Sequence, residues 1–254
     1  MELSNKTVVV TGGGSGIGKA LAARFVAEGA RTVVAVDIDD KSAQAAADEL
    51  GCVAMSADVS CEEDIQRVIE DTESQCGPID LFCSNAGVAL GAGVDSPNAE
   101  WQASWDVNVM SHVYASRHLL PRMRERGGGY FLITASAAGL LNQIGGAAYG
   151  TTKHAAVGFA EWLALTHAHE NIKVSVLCPQ AVRTPMVTAD PENDGARAAA
   201  ADGMIEPEAV ADVVVEKLRE EAFLILPHAE VLEYMRRKTT DYDQIGRASC
   251  RERV

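Results

Sequence analysis

The chain has 254 residues, 36 acidic against 22 basic side chains, a formal net charge of −14 and 47% apolar residues. That balance argues against nucleic acid and anionic membrane surfaces as partners, and no run approaches the roughly 18 apolar residues of a membrane span. Six scattered cysteines show no C-x-x-C pair or zinc spacing, and Met1–Lys6 leaves no room for a signal peptide, so a reduced, cytoplasmic protein without a metal site is expected.

The first predicted strand, Thr7–Val10, runs into Thr11-Gly12-Gly13-Gly14-Ser15-Gly16-Ile17-Gly18 and then a helix over Lys19–Glu28. Glycines permit positive φ and close backbone approach, and a helix N-terminus offers N–H groups to a pyrophosphate. A lone glycine-rich run is as easily an ordinary turn. Here a second strand, Thr32–Val36, ends in Asp37, nineteen residues beyond Gly18, where a carboxylate can accept from a ribose hydroxyl. Further strands are expected at Cys52–Ser56, Leu81–Ser84, Tyr130–Thr134, Lys173–Cys178 and Phe223–Leu226. Continuous rather than alternating apolar runs suit a parallel sheet covered on both faces. The expectation is an α/β, Rossmann-type doubly wound, seven-stranded parallel sheet forming one domain over 1–244.

Asp37, Asp58, Asn85, Ser136 and Pro179 all fall at or just beyond strand ends, converging on one crevice. On the helix predicted from Gly146, Tyr149 and Lys153 stand four apart and share a face. The ammonium is expected to lower the phenol pKa from about 10, equipping it for proton transfer to or from an alcohol oxygen. The irregular stretch over about 184–206 reads as a lid, with an ordinary surface connection as the alternative. Residues 245–254 match the translation of a common short-read sequencing adapter, so a non-native tail after Gln244 is expected.

These motifs, in this order, resemble the short-chain dehydrogenase/reductase family from about Thr7 to Leu226. The resemblance implies NAD(H) held by Gly12, Gly14, Ser15, Gly16, Ile17, Gly18, Asp37, Ile38, Asp58, Val59, Asn85, Ala86, Gly87, Pro179, Val182 and Thr184, together with Tyr149 and Lys153. It implies catalysis by Asn108, Ser136, Tyr149 and Lys153: Tyr149 as acid/base, Lys153 tuning it, Ser136 on the substrate oxygen and Asn108 anchoring a relay water. Two positions depart from the pattern. Ser84 replaces an asparagine, and Gln180 replaces a glycine, which would strain the backbone were positive φ required, or else read the substrate.

Asp37 is followed by Ile38, Asp39 and Asp40, and Ser15 is uncharged, so a 2′-phosphate meets negative charge and NAD is expected over NADP. Candidate pocket walls are Val88–Val94, Ala138–Gly145 and Gln180–Val187, largely apolar, with Arg183 expected to face solvent or the lid. A neutral, lipophilic secondary alcohol or ketone suits them. The six histidines read as structural. A silent NAD(H)-binding sensor of the same fold is the alternative to an enzyme. Small residues Ala155, Ala156, Gly158 and Ala160 suggest helix packing across a two-fold axis, in a homotetramer or homodimer.

Overall fold

The computed structural model describes residues 1–188, 200 and 203–245. Seven parallel strands make one sheet in the order β3-β2-β1-β4-β5-β6-β7: β1 Thr7–Thr11, β2 Thr32–Asp37, β3 Val53–Ser56, β4 Leu81–Ser84, β5 Gly129–Thr134, β6 Ile172–Leu177 and β7 Leu224–Ile225. The doubly wound class and all seven strand positions therefore hold, with ends moved by a residue or two. The order reverses between β1 and β4, which opens a crevice at the carboxyl ends of the central strands.

Strand residues alternate between two cores, which is why the strands read as unbroken apolar runs. Val9, Val34, Phe82, Phe131 and Val176 point to one face, under α3 (Glu62–Cys76), α5 (Ser111–Glu125) and α7 (Ala147–His167). Val8, Val10, Leu81, Leu132 and Leu177 point to the other, under α1 (Gly16–Ala27) and α9 (Pro207–Glu220). Each large side chain so buried contributes about 1.5–3 kcal/mol. Remaining helices are α2 (Asp40–Leu50), α4 (Asn98–Trp105), α6 (Ala138–Leu141), α8 (Pro185–Thr188) and α10 (Glu230–Thr240). Asp39 caps α2 by accepting from the Lys41 amide at 3.2 Å, and Gly51 ends it at φ +69°.

Between α4 and α5 the helix widens to π geometry over Asp106–Met110. The Ser111 hydroxyl donates to the Val107 carbonyl at 2.6 Å, taking up one acceptor there. The sequence did not announce this bulge, and it carries Asn108. The small-residue face of α7 is divided, with Gly158 exposed and Ala155 half-buried. Ala156 and Ala160 are buried in the chain's own core, whereas Trp162 and Leu165 are 53% and 84% exposed. Much of the expected lid, and the suspected tail from 246 onward, lie outside the described residues.

Candidate active site

The glycine run folds because a side chain is excluded at several of its positions. Gly12 and Gly16 have φ of +67° and +50°, and a Cβ on Gly18 would overlap the Gly12 carbonyl oxygen. Helix α1 begins inside the motif at Gly16, earlier than the sequence suggested. Ser15 stands at its N-cap without a side-chain capping bond, and its first turn holds no acid. The free N–H groups and the dipole there suit a pyrophosphate. Asp37, at the end of β2, accepts from the Gly14 amide at 3.0 Å and from the Asp39 amide at 3.2 Å, which aims its carboxylate at the mouth of the glycine loop.

Thr11 joins this loop to β4. Its hydroxyl accepts from the amides of Asn85 at 2.9 Å and Ala86 at 3.1 Å, while Asn85 Nδ2 donates to the Thr11 carbonyl at 3.0 Å. Thr134 completes the ring by donating to Asn85 Oδ1 at 3.1 Å. Asp58 is fixed beside the cleft by accepting from the Ser60 amide at 2.9 Å, and its own amide donates to Asp64 at 2.8 Å.

One cleft is lined by Gly12, Ser15, Gly16, Ile17 and Gly18 at one end and by Ser136, Tyr149 and Lys153 at the other. Asp37, Ile38, Asp58, Val59, Asn85, Ala86, Gly87, Pro179, Val182 and Thr184 also line it. Gly14 and Asn108 do not. Gly14 packs against Asp37 and Ser42. Asn108 is wholly buried, with Oδ1 accepting from the Val88 amide at 2.9 Å and Nδ2 donating to the Val88 carbonyl at 2.9 Å and to Thr152 Oγ1 at 3.1 Å. Its side chain thus binds the Gly87–Val88 wall to α7. Of the expected substrate walls, Val88, Gln180 and Pro185–Val187 line the cleft, whereas Ala138–Gly145 does not. Arg183 is exposed and pairs with Glu206 at 2.7 Å, as anticipated. Gln180 carries no positive φ, so glutamine sits there without the feared strain.

The electrostatics correct one expectation. The Tyr149 pKa is raised above its ordinary value, chiefly by burial and opposed by a hydrogen bond from Ser136. Lys153 does not overcome this. Its Nζ lies 5.7 Å from the centre of the Tyr149 ring and donates to the Thr134 carbonyl at 3.0 Å. Burial lowers the Lys153 pKa to about 8 and raises that of neighbouring Cys178 to about 12. The i, i+4 spacing predicted a shared face correctly; what it did not encode was how dry that face is.

Two histidines read as structural are buried near the site. His112 follows the π segment, and its Nδ1 lies 2.6 Å from Ser84 Oγ. Burial, with the Lys153 charge second, lowers its pKa to about 3, so it is neutral. The departure at Ser84 therefore has a partner: the small hydroxyl meets an imidazole. His228 touches the Gln180–Ala181 backbone. Neither histidine had a sequence signal, because each meets its partner through the fold. Thr134 and Ala135 on the cleft wall, and Thr11 as its tie, were likewise not picked out; apolar strand ends beside assigned residues were the available hint.

A parallel doubly wound sheet, a glycine-lined helix N-terminus at its switch point and an acid ending β2 define a dinucleotide-binding protein. Residues 6–195 match the family model described as short chain dehydrogenase. A 1-deoxy-11-beta-hydroxypentalenate dehydrogenase of Streptomyces exfoliatus is 36% identical over 91% of this chain and 86% of its own. A 2,5-dichloro-2,5-cyclohexadiene-1,4-diol dehydrogenase of Sphingobium indicum is 37% identical over 76% and 79%. The solved structure of a short chain dehydrogenase/reductase from Burkholderia phymatum, in complex with NAD, superposes with a TM-score of 0.88 at 26% identity, covering 96% of each chain. The chain belongs to the short-chain dehydrogenase family and is an NAD(H)-dependent oxidoreductase of the alcohol/ketone type.

Proposed function

We propose that the chain interconverts a neutral, lipophilic secondary alcohol and its ketone, with Tyr149 as the general acid/base. The observation that carries this is the meeting of Ser136, Tyr149 and Lys153 in the cleft that also holds the glycine loop and Asp37. NAD, when bound, supplies the hydride acceptor. Gly12–Gly18 and Asp37 would hold its adenosine half, and Val182, Thr184, Tyr149 and Lys153 its nicotinamide half. Tyr149 exchanges the proton with the substrate oxygen, and Ser136 Oγ steadies the charge developing on that oxygen. Lys153, beneath the phenol ring, supplies positive charge and passes protons onward. Asn108 holds the wall on which Lys153 and Gly87 meet: a Cβ on Gly87 would lie 3.1 Å from Asn108 Oδ1 and 3.2 Å from Lys153 Nζ.

Val88, Met186 and Val187 give the substrate end an apolar wall, and the exposed Arg183 nearby is paired with Glu206. A neutral ring-bearing alcohol, like the cyclohexadiene diol in one relative's name, suits this wall better than a phosphorylated one, whereas the hydroxypentalenate in the other relative's name carries a carboxylate. A prevailing pool of oxidised NAD favours the direction of alcohol oxidation. Five free cysteines among the described residues support a reducing, cytoplasmic setting. No helix among the described residues is long and apolar enough to cross a membrane. Exposed Trp162 and Leu165 on α7, with Phe159 stacked on Trp162, support pairing with further copies as a homodimer or homotetramer.

The test is reduction of NAD across a panel of alicyclic secondary alcohols, with Tyr149→Phe as control. Turnover lost by about 10²–10⁴-fold in the variant, with NADH binding kept, supports the assignment. Tight NADH binding with no turnover on any alcohol or ketone establishes the silent sensor instead.

A further inference from the structure

The geometry points to His228 as a positioning residue for the cofactor cleft, acting through the backbone of Gln180 and Ala181. This rests on the reading of Pro179–Thr184 as the nicotinamide-side wall. His228 stands just past β7 and is 7% exposed. Its Nδ1 lies 3.1 Å from the Gln180 amide nitrogen, and its Nε2 lies 3.2 Å from the Ala181 carbonyl oxygen. A backbone N–H only donates, so Nδ1 must be the acceptor. Nε2 therefore carries the proton and donates to Ala181. One neutral tautomer satisfies both bonds, and no other protonation state does.

The clamp is brought into register by the sheet. The Cys178 amide donates to the Ile225 carbonyl at 2.9 Å, and two and three residues further along these strands come Gln180 and His228. On the far side of the same segment, the Pro179 carbonyl accepts from the Ala137 amide at 2.8 Å and from Ser136 Oγ at 3.4 Å. The segment is thus held from behind by His228 and faces Ser136 in front. The Ile205 amide also reaches Ala181 O, at 3.2 Å, but the Gln180 N–H is held by the imidazole. Removing the ring takes the imidazole acceptor from the part-buried Gln180 N–H and leaves the Ala181 carbonyl short of one partner, in the stretch that leads directly to cleft-lining Val182 and Thr184. The glutamine at 180, where the family pattern has glycine, adopts an unstrained φ, so this backbone bond, rather than glycine's freedom, sets the course of the segment.

The experiment is a fluorescence titration of NADH into wild type, His228→Leu and His228→Asn, with apo melting temperatures alongside. The asparagine amide again offers an acceptor and a donor side by side, whereas leucine offers neither. His228→Leu should weaken NADH binding about tenfold, the loss of one to two neutral hydrogen bonds, and His228→Asn should recover most of it. A merely space-filling role would order the variants the other way, with leucine nearest wild type. Leucine binding NADH within twofold of wild type, or asparagine no better than leucine, overturns the inference. Should the leucine variant not fold, amide exchange in the wild-type apoenzyme decides: slow exchange at Gln180 supports the clamp and fast exchange overturns it. Wild type failing to bind NADH at all would instead sink the cofactor reading on which the inference stands.

Discussion

Replacing Asp37 by serine should shift cofactor choice from NAD towards NADP without exchanging it outright. In the structure the carboxylate is half-buried, accepts from two backbone amides and ends the strand beside the glycine loop. Hydrogen bonds from ribose hydroxyls to a carboxylate are worth about 1.5–3 kcal/mol, so serine should cost NAD roughly 10–150-fold in kcat/KM. A 2′-phosphate near 5 Å from the carboxylate is repelled by about 3 kcal/mol per unit charge at an effective dielectric of about 20. Ile38 alongside is 69% exposed, so water screens this edge, and about 1–2 kcal/mol is the realistic relief. NADP should therefore improve about 5–30-fold, and the NAD-to-NADP ratio should fall by about 10²–10³. Asp39 and Asp40 remain, against the single exposed Lys41, so the residual field still opposes the phosphate. Parallel kcat/KM measurements with both cofactors decide the matter. A wild type that uses NADP as well as NAD, or a ratio unmoved by the substitution, refutes the reasoning.

Four further outcomes are expected. Because burial raises the Tyr149 pKa above its ordinary value, alcohol oxidation should still gain rate with each rise in pH on the alkaline side, while ketone reduction, which uses the protonated phenol, holds its rate there; an oxidation plateau already reached at pH 7 would contradict this. Lys153 has its pKa lowered from 10.5 to about 8, so its buried charge destabilises the apo fold in full below pH 8 and progressively less up to 10.5. Lys153→Met should accordingly raise the apo melting temperature at pH 7, offset in part by the lost bond to Thr134, with the gain shrinking between pH 8 and 10.5; a gain that grows with pH reverses the sign argued here. His112 stays neutral in the fold down to about pH 3 but protonates when unfolded below about 6.5, so stability falls as pH drops through that window. The stability curve of His112→Asn should be flatter there, and urea titrations at pH 7 and pH 4 test it: parallel curves count against the buried neutral imidazole. Gly18→Ala should abolish NADH binding and lower the melting temperature, because its Cβ has no room beside the Gly12 carbonyl; calorimetry showing normal binding would refute the close approach.

The sequence by itself determined the sheet, because fully buried parallel strands must be apolar throughout and their ends are marked by Asp37, Asn85, Ser136 and Pro179. It also determined that Asp37, Asp58, Asn85, Ser136 and Pro179 gather at the crevice, since topology carries these strand ends to the same edge, but not that Gly14 and Asn108 stand off it. Local rules were enough for these: a strand's burial, a glycine's φ and a helix's i, i+4 spacing are all written within a few residues. Only the tertiary structure decided the quantities that depend on what lies across the core. The Tyr149–Lys153 spacing was legible, but the Tyr149 pKa depends on how much water the assembled cleft excludes, and Lys153 found the Thr134 carbonyl instead. Ala156 and Ala160 looked available for a partner helix, yet packing turned them inward and left Trp162 and Leu165 outside. Ser84 with His112, and Gln180 with His228, are 28 and 48 residues apart and share no local pattern. Such pairs arise when strands and helices dock, because a buried polar atom must take whichever partner the fold places within reach.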